Sequence, residues 1–178
     1  MDGNILVLAP LCNFPLLITE EKERGTLPLL FRSKVTEAQF TASKAVSSLL
    51  TGELMAVIVF FISGARPSLL PQYLLINLIA MASFLPYGFL TAVYARDQNS
   101  VNVYSMLSVV IAFIIPIFSY WNLAFGSIAM FIPTSFMGIV LNKVHPVEGF
   151  LDISLPLSFA VCLIWFAAGL AVLYAVRK

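Results

Sequence analysis

Glu53 is the residue of this chain whose setting asks most of chemistry. It lies eight residues into an apolar run from Ala45 to Ser63, and an ionisable group at such a depth in a membrane-spanning segment is costly enough to mark a candidate functional site. Two roles fit it: an intramembrane polar site, or a protonated or hydrogen-bonded glutamate in a helix interface beside Thr51 and Gly52. His145 is the single histidine and sits in a loop with Pro146, without a cysteine or a second histidine nearby, so it lacks the ligand set of a metal site. Cys12 and Cys162 fall inside apolar runs and read as packing residues rather than as a disulfide framework. None of the nine glycines builds a G-x-x-x-x-G-K-S/T phosphate loop, so this chain is not expected to hydrolyse ATP by that means. No catalytic residue, metal or cofactor is expected, and the chain is not read as an enzyme.

The elements that would position Glu53 follow from composition. The chain has 178 residues, of which 60% are hydrophobic and 11% charged, with a mean hydropathy of +0.96; a soluble domain is about a quarter charged. The apolar residues lie in runs close to the roughly 20 residues that carry a helix across a bilayer. Those runs are apolar on all sides, unlike the alternating strands of a barrel. The fold class is therefore all-α, a polytopic helical membrane protein forming one transmembrane domain over 1–178. Five runs have about spanning length: Ala45 to Ser63, Tyr73 to Tyr94, Val101 to Trp121, Asn122 to Leu141 and Ile153 to Val176. Tyr94, Tyr120 and Trp121 stand at run ends, as an interfacial aromatic belt predicts. Arg96 with Asp97 reads as a boundary pair at the cytoplasmic surface, with the arginine snorkelling. A sixth run, Ile5 to Ile18, is short at 14 residues and contains Pro10, Asn13 and Pro15, so it is expected to be an irregular, incomplete helical unit. No basic region precedes it, which makes it a poor signal peptide.

Lysine and arginine accumulate in cytoplasmic loops. The most polar stretch, Thr19 to Lys44, holds four of the nine acidic and five of the ten basic residues and is placed in the cytoplasm. If Asn122 to Leu141 crosses the bilayer, Lys and Arg divide seven inside to three outside; if it dips in and returns, eight to two, with Arg177 and Lys178 inside. The second arrangement is favoured, because Asn122, Gly126, Ser127, Pro133, Thr134, Ser135 and Gly138 make this run the least lipid-like, and broken backbone at membrane depth belongs where protein or water lines it. The net charge of +1 gives no reason to expect nucleic acid as a partner.

The polar stretch has its own local logic. It reads Thr19-Glu20-Glu21-Lys22-Glu23-Arg24-Gly25-Thr26-Leu27-Pro28-Leu29-Leu30-Phe31-Arg32-Ser33. Gly25 permits a sharp turn, and Thr26 can cap a short helix whose first turn tolerates Pro28. Leu27, Leu29, Leu30 and Phe31 give that helix an apolar surface. Thr36-Glu37-Ala38-Gln39 is a capping-box pattern, from which a helix can run through Phe40 and Lys44 into the membrane.

Glu21-Lys22-Glu23-Arg24-Gly25-Thr26-Leu27, with Leu29-Leu30, Val35-Thr36 and Lys44 after it, resembles type-2 ABC exporter permeases. There an E-K/R-E-x-G-T-L motif ends the second membrane helix and a coupling helix then touches the nucleotide-binding subunit. The likeness is at motif level only over 20–44. Phe125-Gly126 and Pro133-Thr134 are similar to the family's re-entrant hairpin before its last helix. The chain departs from the pattern in carrying Pro28 where relatives carry an acidic residue, and in lacking the family's first span before the motif helix. The resemblance implies an architecture of about five spans, a re-entrant or external hairpin at 122–141 and a cytoplasmic coupling segment at 19–44. It implies an ATP-binding cassette subunit and a second permease half as partners besides membrane lipid, ATP being bound by the partner. It implies ATPase coupling through Glu21, Glu23, Arg24, Gly25, Thr26, Leu27, Leu30, Phe31 and Arg32, and export of a drug, antibiotic or peptide across a bacterial cell membrane. Two other classes fit the composition: an ion- or proton-coupled secondary transporter using Glu53, and a non-catalytic membrane scaffold or immunity protein. A membrane protease is excluded, since Arg24 comes one residue early for an E-E-x-x-x-R motif and the histidines such a site needs are absent.

Overall fold

Helices begin and end where short-range chemistry says they should. Thr36 is the N-cap of a helix over Glu37–Ile62: its backbone N–H donates to Gln39 Oε1 at 3.0 Å and Gln39 N–H donates to Thr36 Oγ1 at 3.2 Å, the reciprocal capping box that the residue types predict. Val35 before the cap and Phe40 in the first turn share one cluster with Phe14, Ile18 and Ala92, a hydrophobic staple that fixes the angle at which the chain enters the helix. The preceding helix, Ala9–Glu23, closes with Gly25 at a φ of 66°. Gly25 N–H donates to Lys22 O at 3.2 Å and Thr26 N–H to Glu21 O at 3.2 Å, a Schellman motif that needs the left-handed conformation glycine adopts freely.

The computed structural model describes residues 9–26, 29, 32, 34–62, 64, 66–119, 128, 131–135 and 155–176. Among the described residues five long helices run in order: α1 (Ala9–Glu23), α2 (Glu37–Ile62), α3 (Leu70–Tyr94) after a 3-10 turn at Pro67–Leu69, α4 (Gln98–Ser119), and, after a 3-10 turn at Pro133–Ser135, α5 (Leu155–Val176). The described residues contain helices and no strands, so the fold is all-α. Three segments are long and apolar enough to cross a membrane: Glu37–Ile62, Pro67–Tyr94 and Phe159–Val176. Apart from 128 and 131–135, the expected hairpin at 122–141 lies outside the described residues, as do Tyr120, Trp121 and His145.

α3 is the centre of the bundle and packs against α1, α2, α4 and α5. Hydrocarbon around helices provides no hydrophobic drive for them to associate, so close approach of small residues and interhelical hydrogen bonds must hold such a bundle. The buried face of α2 is Phe40, Ser48, Gly52, Ala56 and Phe60, a stripe at helical spacing with small residues at its middle. A Cβ on Gly88 of α3 would come within 2.6 Å of Pro10 O of α1, and one on Gly169 of α5 within 2.6 Å of Pro86 Cβ of α3. These glycines let neighbouring helices touch almost backbone to backbone.

The first run forms a helix of 15 residues, Ala9–Glu23, shorter than the roughly 20 that a span needs. α1 passes through Pro15 without interruption. Pro15 has no N–H for the carbonyl of Leu11, and Ser105 Oγ of α4 donates to that carbonyl instead, at 2.8 Å. The same device recurs in α4, where Pro116 has no N–H for Ala112 O and Thr134 Oγ1 donates to it at 3.3 Å. Helix-breaking prolines are tolerated in apolar bundles where neighbouring hydroxyls satisfy the freed carbonyls.

Candidate functional site

The charged residues at the end of α1 converge on the ends of three other helices. Glu21 Oε1 accepts from Lys44 Nζ of α2 at 2.8 Å, and its other oxygen accepts from the Thr26 hydroxyl. The Lys44 ammonium beside it, and then the Thr26 hydroxyl, hold the Glu21 carboxyl below the usual glutamate range. Lys22 Nζ donates to Ala92 O and Ala95 O, each at 3.1 Å. These carbonyls lie at the C-terminal end of α3, where the backbone has acceptors without helical donors and carries partial negative charge. Glu23 Oε1 accepts from Gln98 N–H at 2.7 Å at the first residue of α4, the end that attracts anions. Asp97 completes that terminus as its N-cap, its Oδ1 accepting from Ser100 N–H at 2.7 Å. That bond holds the Asp97 carboxyl below its ordinary value. Asp97 is thus more than the boundary partner expected for Arg96.

The motif therefore forms a knot in which consecutive residues of one helical turn tie α1 to α2, α3 and α4. Glu21 and Glu23, two of the residues assigned to ATPase coupling, spend their hydrogen bonds inside the chain. Facing outward from the same turn are Arg24, paired with Glu20 at 2.6 Å across one helical turn, and then Leu29 and Arg32. Leu29 is 64% exposed, and both Leu29 and Arg32 are helical. Leu27, Leu30 and Phe31, named for the apolar face of the coupling helix, lie outside the described residues.

Glu53 is half-buried at the contact of α2 with α3, and its Oε1 accepts from Asn77 Nδ2 at 3.0 Å. Of its two expected roles, this contact contains the hydrogen-bonded interface glutamate. Residues of α1, α3, α4 and α5, with Ile128, Phe131 and Ile132, line a cavity of about 480 Å³, among them Leu11, Phe84, Tyr87, Ala112 and Trp165. That size falls within the range of small-molecule sites, about 300–1,000 Å³, and the walls are almost wholly apolar. Trp165 Nε1 donates to Phe131 O at 2.6 Å and the Tyr87 hydroxyl to Trp165 O at 3.1 Å, so the polar tips of both aromatics are engaged and their rings face the cavity. Among the described residues no three His, Cys, Asp or Glu side chains group as metal ligands.

Comparison with known protein families, with curated proteins and with solved structures finds no match. The site is thus read from its own geometry. Sequence reasoning passed over Lys22, Asn77, Ser105 and Trp165 as site residues. Lys22 stands within the motif, but its partners are carbonyls 70 and 73 residues away, and no local pattern encodes them. Asn77 carried a usable signal, as an amide inside an apolar run one span after Glu53.

Proposed function

We propose that the chain is the membrane-spanning permease subunit of an ABC-type exporter in a bacterial cell membrane, driven by ATP hydrolysed on a separate subunit. In this reading five segments cross the bilayer, 122–141 forms a re-entrant or external hairpin, 19–44 is the cytoplasmic coupling segment, and a second permease half completes the path. The observation that carries it is the knot at the end of α1. A force applied to the turn after Gly25 is delivered to α2 through Lys44, to α3 through Lys22 and to α4 through Glu23, which is the mechanical requirement of a coupling element. Glu21 and Glu23 are its internal struts. Arg24, Leu29 and Arg32 face outward, and together with the motif's Leu27, Leu30 and Phe31 they are assigned the contact with the ATPase. Exposed charge pairs contribute about 0–1 kcal/mol each, so the leucines and Phe31 supply the affinity and the charges the orientation. The apolar cavity supports a hydrophobic or amphipathic substrate, as drugs, antibiotics and many peptides are.

The test is copurification from native membranes. The tagged chain is expected to bring down a P-loop ATPase, and joint replacement Leu30→Ser and Phe31→Ser is expected to lose it while insertion into the membrane stays normal. Recovery of the chain without any P-loop ATPase would contradict the reading.

A further inference from the structure

The interface of α2 and α3 holds more polar atoms than its hydrogen bonds use. Asn77 and Tyr73 are 0% and 2% exposed and lie one helical turn apart, so they share a face of α3. Asn77 Nδ2 donates to Glu53 Oε1 at 3.0 Å and lies 3.1 Å from Met81 Sδ, which occupies both amide hydrogens. Glu53 Oε2, Asn77 Oδ1 and the Tyr73 hydroxyl are buried and have no hydrogen-bond partner among the described residues. The Tyr73 ring packs on Phe60 with centroids 5.1 Å apart. Unused buried polar atoms are the exception in folded proteins, and each calls for an explanation.

We propose that Glu53, Asn77 and Tyr73 form a proton-binding site within the membrane-spanning bundle, with the proton carried on Glu53 Oε2. Three features lead there. Glu53 lies eight residues after Ala45 and nine before Ile62, so about 12 Å of apolar helix separates it from either end of that stretch, and among the described residues no counter-ion pairs with a carboxylate at this depth. On its own helix the nearest charged residue is Lys44, which is committed to Glu21. From α3 the groups that face it are Asn77 and the titratable Tyr73. α1, which also packs here and brings Ala9 to Gly52, has Cys12 as the titratable side chain and no charged residue between Ala9 and Thr19; Glu20, Glu21, Lys22 and Glu23 stand at its other end. A protonated Oε2 supplies a donor in an interface where Asn77 Oδ1 is an acceptor without one and Tyr73 can serve as either, directly or through one water. A metal ion would find a single carboxylate and too few oxygens for its coordination shell. The proton comes from water and returns to water, so the site alternates between a neutral acid and a carboxylate with net charge −1, and the packing of α2 on α3 responds to that change.

Dicyclohexylcarbodiimide is the probe for it. This apolar reagent takes the proton of an undissociated carboxyl on its nitrogen, is attacked at carbon by the carboxyl oxygen, and rearranges to a stable N-acylurea. The purified full-length chain in nanodiscs is treated at neutral pH and mapped by peptide mass spectrometry. The expected result is an adduct on Glu53 with none on Glu20 or Glu37, complete loss of the adduct in Glu53→Gln, which keeps an acceptor for Asn77 and so the fold, and a changed pH profile of labelling in Asn77→Ala. No adduct on Glu53, or equal labelling of Glu20 and Glu37, would overturn the site. Protection of Glu53 by sodium or potassium ions would show a metal cation in the proton's place, and an unaltered profile in Asn77→Ala would remove Asn77 from it; either result overturns the site as drawn.

Discussion

Lys22, Glu21 and Glu23 occupy three successive positions of one helical turn and point to three different helices, so neighbours in sequence have different consequences when changed. The contribution of Glu21 depends on pH. Its carboxyl is held below the ordinary value of 4.5 by the Lys44 hydrogen bond first and the Thr26 hydroxyl second. A group whose folded pKa is depressed stabilises fully above its unfolded value and loses that stabilisation as pH falls through the folded one. The chain is therefore expected to lose stability on acidification below about 4.5. Lys44→Met should flatten that acid limb and lower stability at neutral pH by no more than about 1 kcal/mol, since both side chains keep some contact with solvent. Thermal unfolding followed across pH in detergent decides it, and an acid limb unchanged in Lys44→Met would contradict the assignment. At Asp97 the sign is the same, but this carboxyl is fully exposed and acts only on the end of α4.

Between elements, the notable economy is that hydroxyls of one segment replace the hydrogen bonds that prolines of another remove. Ser105 serves Leu11 O because Pro15 cannot. The two are therefore coupled: Ser105→Ala should cost about 0.6–1.7 kcal/mol in the natural chain and close to nothing in a Pro15→Ala background, where the new N–H of residue 15 takes the carbonyl. A double-mutant cycle on unfolding free energy measures this coupling, and equal costs in the two backgrounds would show that Ser105 acts elsewhere. The pair also shows what sequence can and cannot disclose. The Thr36 capping box and the turn at Gly25 were legible because their partners lie within three to five residues. The continuity of α1 was not, because the group that makes Pro15 tolerable is 94 residues away. Glu53 stood out by its cost alone, while Asn77, 24 positions later, needed the antiparallel packing of α2 on α3 to become its partner. Of the residues assigned to coupling, the motif located the turn, but sequence could not divide its charges into those bound inside and those facing outward.

For the whole molecule, the proposed arrangement makes two statements that reach beyond one chain. The first is topological: with 122–141 returning to the side it entered from, Lys143 lies outside and the C-terminus in the cytoplasm. A single cysteine at position 143 should react with an impermeant maleimide added to intact cells. Labelling there only after the membrane is opened would mean that 122–141 crosses the bilayer fully.

The second and central statement is that the turn after Gly25 touches an ATPase. Leu29 is 64% exposed and follows directly from the knot, so a photo-reactive phenylalanine in its place reaches into the surroundings of the bundle. Irradiation of native membranes is expected to cross-link position 29 to a P-loop ATPase subunit, and the same residue at position 103, on an exposed face of α4, is expected to give none. Cross-links from position 29 to lipid alone, or to the ATPase equally from both positions, would contradict the account.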